Sequence, residues 1–155
     1  MSPEAIDIRS YRDGDRDAVL ALAPRLAEGV AAWRHPDAVL VAVRGWVSAA
    51  LGRAADSGQA VFIAEADGQV VGFVSVAERT HFTGVTDGYV GELVTAARWG
   101  RRGVGRLLMA RAEEWARARG LAHLTLETGA ANYAAQAFYT ALGYVTEDVR
   151  LTKPL

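Results

Sequence analysis

Cysteine is absent from the chain. That excludes disulfides, thiolate zinc sites and a cysteine nucleophile, and it fits a reducing cytoplasm, the compartment expected here. Histidine is scarce: His35, His81 and His123 lie far apart and make no HExxH-type spacing, so no metal is expected. Lys153 is the only lysine, and arginine supplies every other cation. With a formal charge of -1, no overall field draws the chain to nucleic acid or an anionic membrane, and neither is expected as a partner. The longest apolar runs, Ala18 to Ala23 and Ala38 to Val43, are far shorter than the roughly 20 residues that cross a bilayer. No membrane span is expected, and the first residues lack the basic-then-apolar order of a signal peptide.

What is present suits one globular domain over residues 1–155: 51% of residues are hydrophobic and 23% charged. A first strand is expected around Ile6 to Tyr11, then a helix carrying Val19, Leu22 and Leu26 that Pro24 kinks or ends near Ala23. Pro36 opens a second helix with Leu40, Val43, Val47 and Leu51 on one stripe. Val61 to Glu65 and Val70 to Val76 read as a hairpin turned by Asp67-Gly68. After a polar loop from Thr80 to Asp87 come a strand, Tyr89 to Thr95, and a helix from Val104 that Gly120 closes. Leu124 to Thr128 is expected as a strand, Asn132 as the N-cap of a short helix ended by Gly143, and Tyr144 to Leu151 as a last strand. The order βααβββαβαβ predicts an α/β (mixed α+β) fold, a central mixed sheet flanked by helices. The last strand also offers an edge that a homodimer could share.

Arg98, Arg101, Arg102, Arg106 and Arg111 crowd around Gly100-Arg101-Arg102-Gly103-Val104-Gly105-Arg106, between a strand and a helix. Free amides and the positive end of a helix dipole make such a junction a phosphate seat, unless it is simply a turn with solvated arginines. A dinucleotide GxGxxG would need glycine where Leu108 stands, and a P-loop would need Gly-Lys-Ser/Thr, so both of those nucleotide motifs are excluded.

With the strand Glu92-Leu93-Val94-Thr95 before it and Leu107-Leu108-Met109 after it, this loop resembles the Q/R-x-x-G-x-G/A signature of the Gcn5-related N-acetyltransferase (GNAT) superfamily. The block Asn132 to Tyr144, with Asn132, Ala135, Phe138-Tyr139 and Leu142-Gly143-Tyr144, is similar to the family's N-x-x-A-x-x-F-Y-x-x-L-G-F. The resemblance spans Ile6 to Leu151, although residues 24–57 share only the architecture. It departs at Gly100, where the family has glutamine or arginine and this chain has Arg101 one place later.

The resemblance implies acetyl-CoA as co-substrate, in a V-shaped gap between the strands Tyr89 to Thr95 and Leu124 to Thr128. The pyrophosphate would lie on Arg101, Arg102, Gly103, Val104, Gly105 and Arg106, and the pantetheine would pair with the backbone of Leu93, Val94 and Thr95. Asn132 and Phe138 would complete the cofactor-binding set. Tyr139 occupies the family's place for the proton donor to the leaving thiolate, although helical spacing with Phe138 and Leu142 would equally put it in the core. Glu92 is the first candidate to deprotonate the amine, with a surface carboxylate or an ion pair as the other reading and Asp87, His81 and Glu65 as further candidates. Trp33, His35 and His81 are candidates for acceptor binding, with Trp46 and Phe82 beside them; large aromatics more often bury area in a core or rim. The expected activity is N-acetyl transfer to a primary amine of a small molecule or a protein N-terminus by direct attack. The alternative, for which Gly100 is the sign, is an acyl-CoA-sensing or catalytically inactive binding module.

Overall fold

The computed structural model describes residues 4–155. Five strands form one sheet in the order β1-β2-β3-β4-β5, namely β1 (Asp7–Ser10), β2 (Gln59–Ala66), β3 (Gln69–Thr80), β4 (Thr86–Thr95) and β5 (Leu124–Leu126). The first three pairings are antiparallel, and β4 with β5 is parallel. A parallel neighbour needs a long crossover, supplied by helix α3 (Val104–Ala118). The β2–β3 turn has positive φ at both Asp67 and Gly68, as a two-residue hairpin of the expected kind requires.

Both sheet faces are covered, which is why the strands read as nearly continuous apolar runs. On one face α1 (Arg16–Leu22) and α2 (Pro36–Gly52) bring Val19, Val47 and Leu51 onto Val61, Ile63, Phe73 and Val94. On the other, Val104, Leu108, Met109 and Ala112 of α3 pack on Phe62, Ala64, Val74 and Val90. Pro24 acts as its chemistry requires: the α-helix stops at Leu22 and the chain continues as a 3-10 turn, Ala23–Ala27. Arg9 ties the edge strand down. Its guanidinium makes two 2.8 Å bonds to Asp15 and bonds of 2.9 and 2.6 Å to Glu65.

Two expectations are corrected. The strand after α3 ends at Leu126 rather than Thr128, because beyond Val90↔Leu126 the ladder with β4 stops. The expected last strand, Tyr144 to Leu151, does not form; residues 144–155 lie in no helix or strand. Val145, Val149 and Leu151 are exposed there, and a run with suitable side chains is no strand without a neighbour for its amides and carbonyls. Helix α4 (Tyr133–Ala141) precedes this segment, and Gly143, just past its C-cap Leu142, takes the positive φ of a helix stop.

Gly72 seats α3 on the sheet. A Cβ there would lie 2.8 Å from the Val94 carbonyl oxygen and 2.9 Å from Val104 Cγ1, at the start of α3. Gly72→Ala should therefore lower stability by about 1–3 kcal/mol by pushing α3 outward. Denaturant unfolding checks this, and a wild-type midpoint would show that the contact yields freely.

Candidate active site

The site begins where two strands part. β4 and β5 pair only over Gly88–Val90 and Leu124–Leu126, so the β5-facing edge of β4 from Gly91 onward has no ladder partner. Gly91 is also an extra residue in β4, because the register with β3 shifts between Ser75↔Glu92 and Val76↔Val90. The bulge needs a glycine: a Cβ at Gly91 would come within 3.1 Å of Ser75 Oγ. Leu93 then packs toward α3 and Val94 toward α1 and α2, with Thr95 as the last residue of the strand.

Beyond Thr95 a 3-10 turn, Ala97–Trp99, leads into the glycine loop. Arg101 and Gly103 both have left-handed backbone, φ 61° and 85°, a geometry that builds anion-binding concavities. Among the described residues, no amide from Arg101 to Arg106 donates to a protein acceptor. The amides of Val104, Gly105 and Arg106 open a 15-residue helix, and those of Arg101 to Gly103 lead into it. The arginines divide by their partners. Arg102 pairs with Glu4 at 3.3 Å and lies over the Trp99 ring, Arg98 donates to Gln69, and Arg111 covers Phe62. Arg101 and Arg106 are exposed and have no ion-pair partner among the described residues.

On the α2 side of the sheet, just past the point where the strands separate, lies a cavity of about 250 Å³ with Glu92 in its wall. Glu92 is buried. Ser75 holds it twice, its hydroxyl donating to Glu92 Oε2 and accepting from the Glu92 amide at 2.9 Å. The other carboxylate oxygen has no hydrogen-bond partner among the described residues and is not sealed from solvent. Burial pushes the Glu92 carboxyl above the usual carboxylate range, against the opposing pull of the Ser75 hydroxyl and the Arg53 charge.

Helix α4 closes the other side. Asn132 caps it, Oδ1 accepting from the Ala135 amide at 3.1 Å while Nδ2 donates to the Glu28 carbonyl, so both ends of this amide are engaged within the chain. The approach is close: a Cβ on Gly129 would collide with the Gly29 carbonyl oxygen. Phe138 sits over the start of α3, its Cζ 3.2 Å from where a Cβ of Gly105 would stand. Phe138 and Tyr139 do not face opposite ways; both pack against the α3-side cluster, ring edge to ring face at 5.1 Å. Among the described residues the Tyr139 hydroxyl has no hydrogen-bond partner, and it is not sealed from solvent; burial of the ring pushes its pKa up to about 12.

The remaining candidates lie elsewhere. Trp33 is exposed ahead of α2, and His35 caps that helix, Nδ1 accepting from the Asp37 amide. His81 stacks on Phe82 and bonds Thr83 in the β3–β4 hairpin. None of the three lines the Glu92 cavity. Asp87 pairs with His123 at 2.9 Å, and Glu65 belongs to the Arg9 network. Sequence reasoning missed Ser75, Arg53 and Tyr89, which line the cavity with Trp46. Ser75 and Tyr89 stood in strands read for their apolar residues, and only the register of β3 on β4 sets Ser75 against Glu92.

Glu92 supplies a test of this geometry. Its folded-state pKa is raised, so the stability it contributes is full below the unfolded-state value and is lost as pH rises through the folded one. Glu92→Gln has nothing to lose over that range. Its stability relative to wild type should therefore increase as pH rises above the usual carboxylate range, read by calorimetry; a pH-independent difference would mean that the carboxylate is solvated.

Comparison with known proteins agrees with this arrangement. The model of the acetyltransferase (GNAT) family matches residues 25–144, while no curated protein sequence matches significantly. Among solved structures, the PaiA N-acetyltransferase from Thermoplasma acidophilum in complex with coenzyme A is similar, with 18% identity, a TM-score of 0.79, and 94% of this chain and 93% of that one covered. The aminoglycoside acetyltransferase AAC(6')-Iy, in complex with a bisubstrate analogue of CoA and acetylneamine, is 22% identical, with a TM-score of 0.69 and coverage of 97% and 99%. The glucosamine-6-phosphate N-acetyltransferase from Arabidopsis thaliana is 15% identical at a TM-score of 0.69, with the same coverage. At such identities the structures share the fold. The family match extends over most of the chain and includes the parted strands and the amide loop, and the protein belongs to the GNAT acetyltransferase family.

Proposed function

We propose that this protein transfers an acetyl group from acetyl-CoA to a primary amine by direct attack. The observation that carries the reading is one strand edge, β4 from Gly91 to Thr95, with a different chemistry at each end: undonated amides from Arg101 to Arg106 beyond Thr95, and a buried carboxylate with one open oxygen beside Gly91. The amides and the Arg101 and Arg106 guanidiniums fit the phosphates of a coenzyme A. The unpaired edge of β4 along Leu93, Val94 and Thr95 fits its amide-bearing arm as an added strand. Bound acetyl-CoA supplies the activated thioester.

The residues then divide the proton work. An alkylammonium must lose a proton before it attacks, and the open oxygen of Glu92 is where the proton goes. A carboxylate raised by burial is a better base near neutral pH than a solvated one. As the C–N bond forms and the C–S bond breaks, the departing sulfur takes a proton from the Tyr139 hydroxyl, and the second proton of the attacking nitrogen, shed as the amide forms, passes through water to restore the phenol. With a pKa of about 12, that phenol is fully protonated at the outset and able to donate. Ser75 keeps Glu92 aimed at the cavity. The Gly100 departure leaves backbone amides as the main phosphate contact, and these do not depend on the side chain at that position.

Three outcomes are expected. Thiol release from acetyl-CoA with a panel of amines should show turnover; none, together with no coenzyme binding, overturns the proposal, whereas binding alone would favour a sensing module. Gly103→Val should abolish coenzyme binding by calorimetry, since a β-branched residue resists φ 85° and crowds the amides. Tyr139→Phe should lower kcat by about tenfold or more with little change in coenzyme affinity, and a wild-type rate would remove Tyr139 from the chemistry.

A further inference from the structure

The walls of the Glu92 cavity carry information about the acceptor, given the acetyl-transfer reading above. Two of its lining residues bring a carboxyl and a guanidinium, Glu92 and Arg53. Arg53 follows the last turn of α2 and is exposed. No carboxylate of the described residues lies within ion-pair distance of it. Trp46 and Tyr89 provide aromatic wall, and Gln59 a neutral polar group. A second guanidinium, that of Arg79, lies 4.4 Å from the Tyr89 ring and is paired with Glu127.

This lining discriminates among amines. A polycation needs several carboxylates to replace its water, and the cavity wall offers one, already held by Ser75. Arg53 in the cavity wall would repel its remaining charges, whereas Arg79 beside Tyr89 is offset by Glu127. A plain alkylamine meets no such repulsion but leaves Arg53 without a counter-ion. An amine that also bears an anion satisfies both ends, its nitrogen at the open oxygen of Glu92 and its anion on the Arg53 fork. Size points the same way. At about 250 Å³, against about 30 Å³ for each water in the liquid, the cavity takes something as small as an amino acid.

We infer that the acceptor is a small amine carrying an anionic group, carboxylate or phosphate, and that Arg53 is the residue that selects it. Arg53 acts on binding, so its effect belongs in KM rather than kcat.

The test uses the full chain, acetyl-CoA and four acceptors: 4-aminobutyrate, phosphoethanolamine, butylamine and spermidine. The expected result is a kcat/KM about threefold to fivefold higher for one or both anionic amines than for butylamine, and lower still for spermidine, since one ion pair to an exposed arginine is worth about that factor. Which anionic amine leads identifies the anion. Arg53→Gln should bring the anionic amines down toward butylamine through KM. Butylamine or spermidine matching the anionic amines in the wild type overturns the inference while leaving acetyl transfer intact, and so does an Arg53→Gln enzyme that keeps the preference. Turnover of no amine counts against acetyl transfer instead. Calorimetric binding of 4-aminobutyrate and phosphoethanolamine then decides the anion site: binding that Arg53→Gln removes supports it, and no binding, or binding that survives the substitution, overturns it.

Discussion

The parting of β4 from β5 after Val90 and Leu126 is the constraint on which the rest of the structure depends. Two parallel strands normally bury their facing amides and carbonyls in each other, and leaving one edge open inside a covered sheet is costly unless water or a ligand takes the vacated bonds. The bulge at Gly91 begins where the pairing ends, and it turns Glu92 toward α2 and Leu93 toward α3. One irregularity in one strand thus opens an edge for an extended ligand and delivers a carboxylate into a cavity. Four residues separate the end of β4 from the glycine loop, so the free-amide loop and the Glu92 cavity are held in register by a single strand.

Rigid packing supports this opening. With both sheet faces buried, β3 and β4 cannot shift sideways without disturbing Phe73 and Val94 on one side or Val74 and Val90 on the other. Gly72 lets α3 lie close enough for its N-terminal amides to stand beside Thr95, and Phe138 rests over that same turn from α4. The contact of Gly29 with Gly129 and Asn132 braces the start of α4 against the loop before α2. The flexible glycines therefore serve close approach more than mobility.

Much of this was legible in the sequence because local chemistry dictated it. Pro24 and Pro36 marked a helix end and a helix start, Asp67-Gly68 the hairpin, Asn132 a cap and Gly120 a stop. Glu92 was legible as a polar residue in an apolar strand. Pairing across the sheet was not. The Gly91 bulge, the short β5 and the unpaired segment after Gly143 all depend on which backbone edge meets which, and side-chain alternation does not encode that. For the same reason Ser75 and Arg53 were invisible as site residues: Ser75 meets Glu92 only when β3 registers on β4, and Arg53 reaches the cavity wall only when α2 packs across the sheet. His35 and His81 looked like site residues by type, and local bonds to Asp37 and Thr83 engage them instead.

The central claim is that one gap, with its phosphate seat and its carboxylate, takes a coenzyme A thioester. Amide chemical shifts recorded while acetyl-CoA is added test it residue by residue. The account predicts saturable changes at Arg101 to Arg106 and along Gly91 to Thr95, with the amides of β1 and β2 unmoved. Changes confined to exposed arginine surfaces, or none along the open edge of β4, would contradict it.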